Sequence, residues 1–188
     1  MQIFPQPLIS GAKDSVQKQT FYIAAVSGFV SIVSTLFQPM PILDSTVVAG
    51  VQEKDTLSEF RVAPVGVLGV PDIEFIGDAS DAVYEACLEV VGNNSNNTRK
   101  ILIGKLEHFD SSGTLVTGNQ IEGKGYSRSS IADSGQFNMF CKLGIPLEVG
   151  SVLSTGDRIV PSLRSTSASG ALRIELSKLI IYKYPKAS

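Results

Sequence analysis

The clearest pattern in the chain lies near its C-terminus, where Leu172, Ile174 and Leu176 alternate with Arg173, Glu175 and Ser177. A period of two places the first set on one face of a strand and the second on the other, as a half-buried sheet requires. The alternation then gives way to Leu179-Ile180-Ile181-Tyr182, apolar at every position. That run predicts either a β-bulge or a segment covered on both faces.

The stretch Gln136–Tyr184 carries the densest strand and turn signals. Residues 136–143 predict a strand, followed by an edge or bend at Pro146, which cannot donate to a ladder. Ser154-Thr155-Gly156-Asp157 supplies turn chemistry before a strand over 158–163, and residues 165–170 form a small polar connection.

Upstream, residues 1–19 contain Pro5, Pro7 and Gly11 around isolated Ile3, Phe4, Leu8 and Ile9. This predicts an extended arm whose four apolar side chains bind a neighbouring surface, leaving 20–188 as the β-sandwich domain, with a possible subdivision near 78–82. Thr20 to Phe37 is the most hydrophobic run, and its length approaches that of a membrane helix. Gly28, the four hydroxyl residues Ser27, Ser31, Ser34 and Thr35, and the β-branched and aromatic bias instead favour two strands meeting at Ser27-Gly28. Gln38-Pro39-Met40-Pro41 closes this hairpin-like unit. Short strands follow at 46–51, 60–63 and 73–77, punctuated by Pro64, Gly66, Gly69 and Pro71.

Two readings stand for 78–92. As a helix it is capped by Ser80 or Asp81; as a strand, Tyr84, Ala86, Leu88 and Val90 alternate with Glu85, Cys87 and Glu89. The strand is favoured because Arg99–Phe109, beyond an Asn-rich loop, looks like its hairpin partner. Asp110-Ser111-Ser112-Gly113 is a tight turn, and the polar, glycine-rich 118–133 reads as a long loop carrying one short strand, with Tyr126 and Arg128 as contact residues. Short strands without convincing helices between them predict an all-β, antiparallel jelly-roll-like sandwich.

Composition sharpens this picture in one respect. Charged residues are 18% of the 188 and hydrophobic ones 43%, with mean hydropathy +0.17, so less surface than usual is meant for water. A compact β protein with Ser/Thr/Gly loops and an obligate assembly both fit. A net charge of -2 without any basic run argues against nucleic acid as the partner.

Candidate chemistry is sparse. Cys87 and Cys141 read as reduced buried thiols, and a single histidine leaves a Cys/His zinc site short of ligands. His108, flanked by Glu107 and Asp110, reads as a surface residue at a strand end, since acid–base work needs a pocket and convergent partners. Asp78, Asp81 and Glu85 lack EF-hand spacing and read as capping or solvated groups. No catalytic, cofactor-binding or metal residue is expected.

The series Phe21-Tyr22-Ile23 then Ser27 to Ile32, with the closing series from Leu153 to Ile159 and from Leu172 to Leu176, resembles the jelly-roll structural proteins of tailed-bacteriophage virions, capsid decoration or cement and head-fibre proteins in particular. The resemblance lies in strand rhythm and turn placement. It implies a non-enzymatic protein of the virion surface, assembled in the host cytoplasm, that binds the major capsid protein or another virion subunit, as a homotrimer and without a membrane. The alternative is a glycan- or receptor-binding sandwich of a viral fibre, although the chain contains no tryptophan platform.

Overall fold

The computed structural model describes residues 16–23, 30–32, 35–43, 57–78, 82–94, 100–127, 135–145, 153–166, 172–174 and 177–185. Every regular element among them is a strand: β1 (Gln17–Ile23), β2 (Val30–Ile32), β3 (Gln38–Pro39), β4 (Ile42–Leu43), β5 (Phe60–Ala63), β6 (Asp72–Phe75), β7 (Ala82–Asn94), β8 (Lys100–Phe109), β9 (Leu115–Ser127), β10 (Gly135–Ile145), β11 (Arg158–Ser165), β12 (Leu172–Ile174) and β13 (Ser177–Pro185). β1 begins within the segment expected as an arm; Ile3, Phe4, Leu8 and Ile9 lie outside the described residues, as does the strand expected at 46–51.

The antiparallel pairings are nested. β8 pairs with β9 across the turn at Asp110, β7 with β10, β6 with β11 and β1 with β13. Successive pairs fall alternately in the two sheets, so the chain is one long hairpin rolled into a sandwich, which is the jelly roll. One sheet runs β10-β7-β13-β1-β4, with β12 and β2 extending the β13 and β1 rows; the other runs β5-β6-β11-β8-β9, with β3 beside β11. The two are called the β1 sheet and the β8 sheet below.

The core lies between the sheets, and sequence parity puts it there. Phe21 and Ile23, Tyr84, Ala86, Leu88 and Val90, and Leu179 and Ile181 point inward from the β1 sheet to meet Phe60, Ile73, Phe75, Leu102, Leu106, Ile159 and Leu163. Phe60, Phe75 and Tyr84 form a ring cluster with centroids 5.0 to 5.6 Å apart, which ties the β5–β6 hairpin to β7. The outer face of the β1 sheet is also covered in part. Thr20, Ile180 and Cys87 form one lateral row facing away from the core, and all three are buried. Some of the low charge content therefore serves cover within a single chain.

Several expectations change. The strand at 82–94 is present with the expected inward set, but its partners are β10, β12 and β13; β8 belongs to the other sheet, because a rolled hairpin sends consecutive strands to opposite layers. β1 and β2 likewise pair with β13 and β12 and not with each other, and residues 38–43 carry the chain from the β8 sheet to the β1 sheet instead of closing a hairpin. Of the segment 118–133, expected as a long loop carrying one short strand, residues 118–127 belong to β9, laddered to β8 on the sheet edge; the ladder outweighs the weak strand propensity of its glycines. No helix among the described residues is long and apolar enough to cross a membrane.

Pro161 sits inside β11 without a ladder cost. It falls between the residues paired to β6 (158–159) and those paired to β3 (162–163), and its carbonyl accepts the Met40 N–H at 2.8 Å.

Candidate functional site

The β5–β6 hairpin carries the feature that stands out on this fold. Its loop, Pro64-Val65-Gly66-Val67-Leu68-Gly69-Val70-Pro71, has no charged or hydrogen-bonding side chain, yet Val65 is 78% and Leu68 43% exposed. An apolar loop in water would ordinarily collapse onto the body of the domain. This one is held in shape by polar groups at its base.

Asp72 is the anchor. Its Oδ2 accepts the Val67 N–H at 2.8 Å, and its Oδ1 receives Arg158 Nη1 at 3.1 Å. Gly69 N–H donates to Gly66 O at 3.1 Å, and Ile42 N–H reaches Pro71 O at 3.2 Å, so the chain leaving β3 buttresses the far end. Gly66 is needed for space: a Cβ there would stand 2.1 Å from Val70 O and 2.4 Å from Asp72 Oδ2. Gly69 is needed for conformation, at φ +81°.

Arg158 gathers the surrounding elements. Besides Asp72, it approaches Glu74 (Nη2 to Oε1, 3.6 Å), and its Nε donates to Gly156 O at 3.3 Å in the turn before β11. Glu74 also accepts Arg61 Nε at 2.6 Å. The Arg61 hydrogen bond is the main reason the Glu74 carboxyl lies below the usual range, with Arg158 adding to it. Asp72 moves the other way: burial raises it, outweighing the bonds from Val67 and Arg158. The loop therefore rests on a desolvated carboxylate locked to an arginine, a rigid mount for two bare aliphatic side chains.

His108 is a correction. It is 1% exposed, not on the surface, with Nε2 2.9 Å from Asp157 Oδ2. Parity explains this: His108 shares the inward face of β8 with Leu102 and Leu106, and Asp157, closing the 154–157 turn, supplies the polar partner that burial demands. The same oxygen accepts Ser154 N–H at 2.9 Å, so the pair fastens a turn.

Of the expected contact residues, Tyr126 sits in β9 opposite Ile101, and Ile3, Phe4, Leu8, Ile9 and Arg128 lie outside the described residues. In the sequence the prolines and glycines of 64–71 read as punctuation between strands. The signal was the absence of any polar side chain between them, unusual for a hairpin loop in water. Asp78 and Glu85 belong to no metal-binding group, and among the described residues no three His, Cys, Asp or Glu side chains cluster as metal ligands; Asp81 lies outside them. Cys87 is a buried thiol outside any disulfide; Cys141 stands opposite Leu88, on the alternate row.

No protein-family model matches the chain, and no curated protein sequence does. Among solved structures it is similar to Eiger TNF from S. frugiperda, at 15% identity and a TM-score of 0.44, over 92% of this chain and 96% of that one.

Proposed function

We propose that this chain is a non-enzymatic structural protein of a virion, a homo-oligomer that fastens to the capsid lattice with loop 64–71 as the part that enters the lattice. The supporting observation is the rigid display of Val65 and Leu68 by a loop anchored at Asp72. A surface that keeps aliphatic groups in water at fixed geometry suits burial in a complementary protein pocket, where each side chain contributes about 1.5–3 kcal/mol. Aliphatic groups provide neither the stacking planes nor the hydrogen bonds by which sugars are recognised, so the loop suits a protein partner better than a glycan.

Co-sedimentation with assembled capsid shells tests this reading. The intact chain pellets with the shells, and V65D/L68D, altered only at exposed positions, stays in the supernatant while keeping its circular dichroism. An intact chain that never pellets, or a V65D/L68D variant that pellets equally well, defeats the proposal.

A further inference from the structure

The turn between β8 and β9 lies against loop 64–71. A Cβ placed on Gly113 would stand 3.5 Å from Val67 Cγ1, so the two segments touch at the residue whose amide Asp72 holds. On its other side the turn meets residues 154–157, where a Cβ on Gly156 would stand 3.0 Å from Ser111 Cβ. Ser111, Ser112, Gly113 and Thr114 are all exposed. The apolar loop thus has a polar neighbour fixed beside it, and Asp110 shapes that neighbour. Its Oδ1 accepts the Ser112 and Thr114 N–H groups at 2.9 Å each and the Ser112 hydroxyl at 2.6 Å, while its own N–H donates to Thr114 O at 2.8 Å. Oδ2 takes none of these three bonds.

All of these donors are neutral. The hydrogen bond from the Ser112 hydroxyl first, then that from the Thr114 amide, holds the Asp110 carboxyl below its ordinary range, and no cation among the described residues cancels its charge. The base of the loop is different. There Asp72 and Glu74 face Arg158 and Arg61, two anions against two cations, so the charge left beside the loop is that of Asp110. Loop 64–71 itself has no charged or hydrogen-bonding side chain, and its aliphatic groups supply affinity without direction. A fixed anion at the margin of an apolar contact supplies the direction, because rim charges set approach and register more than strength. We infer that Asp110 belongs to the same docking surface, and that the lattice protein which takes up Val65 and Leu68 carries a lysine or arginine at the rim of its aliphatic pocket to meet Asp110. This rests on loop 64–71 being the lattice contact and adds the chemistry of the partner.

Co-sedimentation with assembled shells at about 0.1 M and about 1 M salt, between which the Debye length falls from about 10 Å to about 3 Å, provides the test. D110N keeps an oxygen for Ser112 and Thr114 and loses only the charge. At the lower salt it binds about two- to fivefold more weakly than the intact chain, and at the higher salt the two coincide. S112A, which removes one bond of the turn and keeps the charge, binds like the intact chain at both. If D110N matches the intact chain at the lower salt while V65D/L68D stays in the supernatant, the inference falls and the loop remains the contact. It falls too if D110N binds more tightly, which means an acidic rim, or if D110N and S112A share a deficit that salt does not remove, which means that the shape of the turn matters and not its charge. An intact chain that never pellets removes both readings together.

Discussion

The Nε2 atom of His108 and the Oδ2 atom of Asp157 lie 2.9 Å apart in the interior, and the same carboxylate oxygen accepts the Ser154 N–H. A single buried acceptor thus joins the end of β8 to the turn that starts β11. D157A leaves the buried His108 nitrogen without its acceptor and loosens the exposed turn at Ser154, and is expected to cost about 2–3 kcal/mol, whereas D157N, which keeps one oxygen for Ser154, is expected to cost about 1 kcal/mol. Urea unfolding of the two variants measures the difference. Equal midpoints for D157A and the intact chain would show that the pair does not hold the turn.

Gly66 and Gly69 lie in the same loop but resist substitution for different reasons. G66A drives a Cβ into Val70 O and the Asp72 carboxylate, so the loop must leave its anchor, at a cost of about 1–3 kcal/mol. G69A has open space and meets only the left-handed backbone, about 1–2 kcal/mol. Hydrogen exchange separates them: the Val67 amide, held by Asp72, loses protection in G66A and keeps it in G69A. Comparable exchange in both variants would mean that the carboxylate does not shape the loop.

The fold was legible wherever one face is wet and the other dry. Leu172 and Ile174 against Arg173, or Tyr84 to Val90 against Glu85 and Glu89, state their orientation by parity alone. What parity cannot state is which strand lies alongside. Consecutive strands in a rolled hairpin enter different sheets, so β7 and β8 looked like partners while the true neighbour of β7, β10, lies more than forty residues downstream of the start of β7. The burial of His108 is illegible in sequence for a related reason: Glu107 and Asp110 flank it along the chain, but Asp157 is its partner in space. The apolar loop was visible as a string of letters, and only the Asp72–Arg158 anchor shows why it stays extended in water.

Tyr84 makes stability fall at high pH. Burial first, then the hydrogen bond to Glu59 and that group's charge, hold its phenol neutral well above the ordinary value near 10. The unfolded chain gives up this proton from about pH 10 and the folded chain does not, so the stabilisation is complete below that pH and is lost as pH rises beyond it. Other tyrosines and the lysines titrate in the same range, so the informative quantity is the difference from Y84F. Between about pH 9 and pH 11 the intact chain should lose more stability than Y84F, by at most about 1.4 kcal/mol per pH unit. Parallel pH profiles for the two proteins would show that Tyr84 ionises as easily folded as unfolded.

The registers of β12 and β13 along β7 differ by one residue, and Ser177 meets that shift. Ile174 is paired with Gly92 and Lys178 with Glu89, so four steps along one strand match three along β7. A ladder with one residue too many leaves a backbone donor without its regular acceptor, and here Ser177 Oγ accepts the Val91 N–H at 3.2 Å. This register shift lets Leu172 and Ile174 on β12 and Leu179 and Ile181 on β13 all face the core although the two sets differ in parity. S177A removes the acceptor and keeps the backbone, with an expected loss of about 1–2 kcal/mol and faster exchange confined to the Val91 amide. If that amide exchanges no faster in S177A, the side chain is only filling space, and the register shift is held by the packing of Ile174 and Leu179 alone.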